Sequence, residues 1–182
     1  LLKLVNGEVD YKSQSVQLES APQLLDGADA GGYSLQINPG CGSNILSFNV
    51  NHADPEKRSV FGDIRFRQAM SISINRDEIN DVAYYGLGKV EQFVGISPAP
   101  DFVPEDVKMY MTQYDPDGAS ALLDEVGLKD TDGDGFRELP SGAPLAINLD
   151  YATQGFGGVE VELIARYFNE AGIKTSFKEV TP

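Results

Sequence analysis

Tryptophan is missing from this chain of 182 residues, and histidine and cysteine occur once each, as His52 and Cys41. A single cysteine excludes an internal disulfide and a cysteine-built zinc site. With one imidazole, and no serine, cysteine or acidic partner at a recognisable spacing from it, no nucleophile–base pair stands out. His52 reads as a surface histidine and Cys41 as an ordinary small residue. Basic side chains are also scarce: 14 Lys and Arg face 28 Asp and Glu, a formal charge of −14. That balance argues against nucleic acid, which needs a basic patch, and against anionic membrane surfaces. No apolar run approaches the roughly 18 residues of a membrane span, and no signal-peptide pattern opens the chain. What is present is 41% apolar residues, enough for a core, in a length that suits one domain or one lobe of something larger.

The densest pattern lies between Ser59 and Gly86. Asp63 is placed to cap a helix carrying Ile64, Ala69, Met70 and Ile72 on one face. Asn75 and Glu78 stand at capping-box spacing before a second helix with Ile79, Val82 and Ala83 on its stripe, and Gly86 supplies a left-handed stop. Upstream, residues 1–6 read as the tail of a helix halted by Gly7. Glu8 to Tyr11 and Tyr33 to Ile37 alternate like short strands, with a Pro22-led helical turn between them. Ile45 to Val50 reads as a central strand, and Asp54-Pro55 as a helix start. Residues 87–113, with Pro98, Pro100 and Pro104, predict a long ordered loop. Asp115-Pro116 opens a helix with Ala119, Leu122, Leu123 and Val126 buried, ended by Gly127. Leu145 to Tyr151 alternates as a strand. Val159, Leu163, Ile164, Tyr167 or Phe168 and Ala171 form a helical face. Gly172 closes that helix, and Ile173, Thr175 and Phe177 alternate again. Strand, helix and strand in so short a stretch predict a βαβ unit with parallel strands. A chain that opens mid-helix and closes on a strand is expected to be a segment of a longer protein.

Three stretches could carry chemistry. In Asp130-Thr131-Asp132-Gly133-Asp134-Gly135-Phe136-Arg137-Glu138, aspartates at loop positions 1, 3 and 5, glycine at 6 and an oxygen ligand at 9 match the front half of a calcium loop. Position 12 is Ser141 rather than a bidentate glutamate. Asp130, Asp132, Asp134 and Glu138 therefore admit a structural calcium and equally an acidic surface turn. The second stretch is Tyr151 to Gly158, YATQGFGG, between a strand end and a helix N-terminus, where open α/β sheets place ligands. Tyr151, Thr153, Gln154 and Phe156 could supply hydrogen bonds and a stacking surface. Gly155-Phe156-Gly157 is a partial nucleotide fingerprint whose third glycine is replaced by Glu160. The third stretch is the loop of Asn44, Asn49, Asn51 and His52, whose asparagines could read a sugar or a peptide backbone or simply satisfy turns. Asn49 is the candidate ligand contact there.

Phe66-Arg67-Gln68-Ala69 running into Ser73-Ile74-Asn75-Arg76-Asp77-Glu78-Ile79 resembles the helix pair of extracellular solute-binding family 5, the peptide-type binders of ABC transporters. Gly7-Glu8-Val9-Asp10, Leu46-Ser47-Phe48-Asn49, Gly86-Leu87-Gly88, Tyr114-Asp115-Pro116 with Leu122 to Gly127, Asp132 to Gly135 with Leu145, and Ala171-Gly172-Ile173 are similar to further family motifs in the same order. The resemblance implies an α/β fold: one lobe, residues 1–182, of a two-lobed type II periplasmic binding protein, with a mixed sheet flanked by helices. It implies no catalysis. A small polar solute, an oligopeptide or an oligosaccharide, would be held in the interlobe cleft and passed to an ABC permease. The protein would be a monomer outside the cytoplasm, periplasmic or extracellular and membrane-associated, with no cofactor unless the Asp130–Glu138 loop holds a structural calcium. The peptide-anchoring aspartate of the family lies beyond this chain. The rival expectations are a calcium-stabilised extracellular scaffold module and a metal-assisted hydrolase built on the Asp130–Glu138 cluster.

Overall fold

The computed structural model describes residues 1–14, 16–38, 44–96, 99–152 and 157–181. Short polar side chains set the helix starts. Asp54 accepts the Glu56 and Lys57 amides (2.8 and 3.3 Å), and Pro55, whose missing N–H costs nothing at a first helical position, follows it. A single extended residue, Asp63, ends that helix and caps the next by accepting from the Arg65 amide. Asn75 accepts from the Glu78 amide, and Asp115 from the Gly118 amide. The resulting elements are three short helices, α1 (Leu2–Val5), α2 (Ala21–Asp26) and α3 (Ala28–Gly31), then α4 (Pro55–Gly62), α5 (Ile64–Ile72) and α6 (Arg76–Tyr84). The one-turn α7 (Glu105–Lys108), α8 (Pro116–Val126), β1 (Ala146–Tyr151), α9 (Gly158–Glu170) and β2 (Lys174–Glu179) complete the order.

β1 and β2 pair in parallel, from Ala146 opposite Lys174 to Tyr151 opposite Glu179. The expected βαβ unit is thus present, and the chain is an α/β structure. The described sheet has two strands, and isolated antiparallel bridges join Glu138 to Lys129 and to Pro144 beside it. Helix α5 packs on α8, and α9 on both strands. Phe66, Met70, Leu123, Leu128, Leu145, Phe168 and Ile173 are fully buried between these layers. Gly127, in the left-handed region at φ 90°, lets the chain reverse after α8. The described residues of the 87–113 stretch, 87–96 and 99–113, contact the α5–α6 corner. Ser71 Oγ donates to the Met111 carbonyl, the Arg76 guanidinium to the Ser71 and Thr112 carbonyls, and the Gln92 side chain to the Tyr110 carbonyl.

The structure corrects or refines several local expectations. Ile45 to Val50 is not a strand. The Val50 and His52 amides turn back to the Phe48 and Asn49 carbonyls, and among the described residues no strand pairs with the segment. Tyr33 to Ile37 and Glu8 to Tyr11 are irregular as well; Tyr33 instead donates its hydroxyl to the Leu24 carbonyl. Glu78 does not return to its cap, because Arg166 and Tyr167 on α9 compete for its carboxylate and win it. Gly86 is left-handed as expected, at φ 70°, with its amide on the Asn80 carbonyl, but the left-handed turn begins one residue earlier, at Tyr85 with φ 56°. On α9 the buried face is Val161, Ile164, Ala165, Tyr167 and Phe168, while Val159 is exposed and Leu163 lies at the margin of the core.

Candidate functional site

The carboxyl end of β1 and the first turn of α9 meet at one edge of the molecule. Tyr151, half-buried at the strand end, accepts the Val180 amide at its carbonyl and lies 6.4 Å from the Phe177 ring. Its hydroxyl would sit 3.6 Å from a Cβ placed on Gly158, so strand end and helix start abut. Thr153, Gln154 and Phe156 lie outside the described residues, as does Cys41. Asn49 is exposed and uses its side-chain oxygen on the Asn51 amide at 3.1 Å, which is the turn-satisfying role. His52 likewise spends Nδ1 on the Asp54 amide.

Beside this edge runs a groove of about 410 Å³ between the 44–48 segment, α5, α6, the 91–93 and 110–111 segments and α9. Its floor is apolar: Phe48, Met70, Ile74 and Ile79, with Ile64 exposed at the wall. Phe48 anchors the 44–48 segment by packing 5.1 Å edge-to-face on Phe66, 5.8 Å from Phe61 and 6.4 Å from Phe168. Where groove and helix N-terminus meet, Glu160 is buried. Its carboxylate Oε2 accepts from the Tyr84 hydroxyl at 2.6 Å and from the Asn44 amide at 2.7 Å, and Asn44 also donates to the Tyr84 oxygen. Burial pushes the Glu160 carboxyl above the ordinary range against the pull of those two donors, and burial with Glu160 alongside pushes the Tyr84 hydroxyl up. Sequence reading noted Glu160 only as the residue that spoils a glycine pattern and Asn44 only as a loop asparagine. Tyr84 carried no signal of its own beyond its place after the α6 stripe. No short-range spacing links positions 44, 84 and 160, which folding alone brings together.

The acidic loop closes on itself. Asp130, Asp132, Asp134 and Glu138 each bring a carboxylate oxygen within 4.8 Å of the others. Asp130 also accepts from the Gly133 and Gly135 amides, Asp132 from Asp134 and Asp134 from Phe136. Glu138, buried, accepts from the Thr131 amide and hydroxyl, both at 2.7 Å. Four hard oxygen donors in so small a volume fit a calcium ion. Ser141 adds nothing to them: its amide and hydroxyl are tied to Glu56 at 2.7 and 2.6 Å.

The architecture is that of periplasmic binding proteins. The oligopeptide-binding protein OppA aligns over 100% of this chain and 29% of its own, with a TM-score of 0.76 and 32% identity. A mannohexaose-bound periplasmic oligopeptide-binding protein from Thermotoga maritima aligns over 97% of this chain and 33% of its own, at 0.68 and 29%. Among curated proteins, the periplasmic alpha-galactoside-binding protein of Rhizobium meliloti is 30% identical over 150 residues, 74% of this chain and 20% of that protein. The chain belongs to the bacterial extracellular solute-binding proteins, family 5 Middle, whose family model matches residues 1–182. It spans about a fifth to a quarter of the curated relatives' length. The family consists of transporter binding proteins, and neither the scaffold nor the hydrolase expectation gains support.

Proposed function

We propose that residues 1–182 form one lobe of the substrate-binding component of an ABC transporter. The lobe takes a small polar solute against a partner lobe and releases it to a membrane permease, without catalysis. The observation that carries this reading is the family match along the full chain. The apolar groove with a few polar side chains between α5, α6 and the first half of α9 agrees with it. An oligopeptide is the first candidate, since OppA is named for such ligands; an oligosaccharide is the second, since relatives are named for mannohexaose and alpha-galactosides. Tyr151, Thr153, Gln154, Phe156 and Asn49 are the proposed solute contacts on this lobe, and hinge closure would supply the grip. The complete protein would work as a monomer outside the cytoplasm, periplasmic or extracellular, and held at the membrane. Among the described residues no helix is long and apolar enough to cross a membrane. Asp130, Asp132, Asp134 and Glu138 would hold a structural calcium that stiffens the turn between α8 and β1.

The test is a thermal-shift screen of the complete protein that carries this chain, with di- to pentapeptides in one arm and oligosaccharides in the other. A saturable rise in melting temperature in either arm is expected, following the mass-action relation between occupancy and stability. A flat response to every member of both arms would overturn the reading.

A further inference from the structure

The charged side chains along the groove differ in what answers them. Arg67 donates to the Phe61 carbonyl at 2.8 Å. Arg76 is spent on the Ser71 and Thr112 carbonyls and the Ser71 hydroxyl, and Glu91 pairs with Lys89 at 3.2 Å. Glu160 is the exception. It is 7% exposed, lines the groove, and is held by the neutral donors of Tyr84 and Asn44. Among the described residues no lysine or arginine lies within 4 Å of it. A carboxylate removed from water without a counter-ion is costly, and the cost is recovered when a cation arrives. The two neutral donors both reach Oε2, so they fix the orientation of the group without neutralising it. Its position is also the right one: the first turn of α9, beside the strand end of Tyr151, on the wall of the groove.

We infer that Glu160, oriented by Tyr84 and Asn44, is a specificity-determining carboxylate that recognises an ammonium or guanidinium group of the solute. This rests on the solute-binding reading above and narrows it to solutes with an extra cationic group: a peptide with a basic side chain, or an amino sugar. The acidic surplus of the chain favours the approach of the same class. Arg67 and Arg76, pinned to main-chain carbonyls, keep their guanidinium groups away from the carboxylate.

The experiment is calorimetric titration of the complete protein with matched probes. Four tetra-alanine derivatives carry one lysine each, at successive positions, and four carry norleucine, which keeps the stem and lacks the charge. A chitosan tetramer against cellotetraose forms the sugar pair. At least one cationic probe should bind about tenfold or more tighter than its neutral match, the range of a charge-assisted hydrogen bond. Glu160→Gln, which keeps an oxygen acceptor for Tyr84 and Asn44, should bring charged and neutral probes to the same affinity. Tyr84→Phe, which keeps the charge, should retain most of it. Equal binding of charged and neutral probes, or a preference that survives Glu160→Gln, would overturn the inference alone. Failure of every peptide and sugar to bind would overturn the solute-binding reading and this inference with it.

Discussion

Truncating Phe48 tests how the 44–50 segment is held. A strand over 45–50 would turn Leu46, Phe48 and Val50 to one face and bury all three. In the fold only Phe48 turns inward, while Leu46 and Val50 are 37% and 48% exposed. Phe48 meets three aromatic rings, Phe61, Phe66 and Phe168, at 5.8, 5.1 and 6.4 Å. A fully buried Phe→Ala change costs about 3–5 kcal/mol. Phe48 is half-buried, so roughly half of that, about 2 kcal/mol, is the expected loss for Phe48→Ala, with the ring pairs contributing part of it. For a chain of this size that is a fall of about 4–8 °C in melting temperature. Leu46→Ala and Val50→Ala should each cost less than Phe48→Ala, about 1 kcal/mol, since each side chain is smaller and more of it is already in water. Urea unfolding followed by far-ultraviolet circular dichroism reads all three, with an unchanged slope if only stability moves. Equal losses for the three variants would mean a buried strand and would refute the single-anchor account.

Other substitutions probe other joints. Asp115→Ala removes the acceptor for the Gly118 amide at the start of α8 and should lower stability by about 1 kcal/mol in the same urea assay. Calcium should raise the melting temperature by a few degrees in proportion to RT ln(1 + [L]/Kd), and Asp130→Asn or a chelator should abolish the rise; an unaltered curve at millimolar calcium would remove the metal. The pH profile should separate two glutamates. Glu160 is pushed up by burial, so its native form binds a proton more readily than the unfolded chain. Its favourable share of stability is present below the ordinary glutamate range and lost as pH rises through the raised value, so Glu160→Gln should gain on the parent as pH rises above the ordinary glutamate range. Glu78 runs the other way: Arg166, then Tyr167, hold it low. Its contribution is present above the ordinary range and lost as pH falls through the lowered value, so Glu78→Gln should lose most at neutral pH and little in acid, read from urea midpoints across that range.

Much of the helical frame was legible because its signals are local. Asp54, Asp63, Asn75 and Asp115 each cap a helix from within three residues, and a sequence window holds both partners. The βαβ unit was legible for a similar reason, since two alternating runs flank one amphipathic helix. The failures share the opposite property. Ile45 to Val50 has strand composition, but a strand exists only where another backbone answers it, and among the described residues none pairs with this segment. Glu78 sits at perfect capping-box spacing, yet an arginine and a tyrosine nearly ninety residues away take its carboxylate. The candidate site was half legible: Tyr151 stands where the strand-end rule put it, while the Asn44–Tyr84–Glu160 cluster has no one-dimensional trace.

Helix α9 joins the two halves of the problem. Its inward face, ending in the fully buried Phe168, closes the core over the strands, and Phe168 also stacks on Phe48, which holds the segment carrying Asn44. Its first turn sets Glu160 between Asn44 and Tyr84. The geometry of the carboxylate is therefore fixed by the same packing that makes the domain stable, and no separate loop has to be ordered to present it. Under the proposed reading, such pre-orientation by neutral donors would lower the ordering cost of binding solute and leave the charge for the ligand. A substitution inside the core, such as one that loosens Phe48 or Phe168, should then weaken solute affinity without touching any solute contact, because it lets the three side chains drift apart.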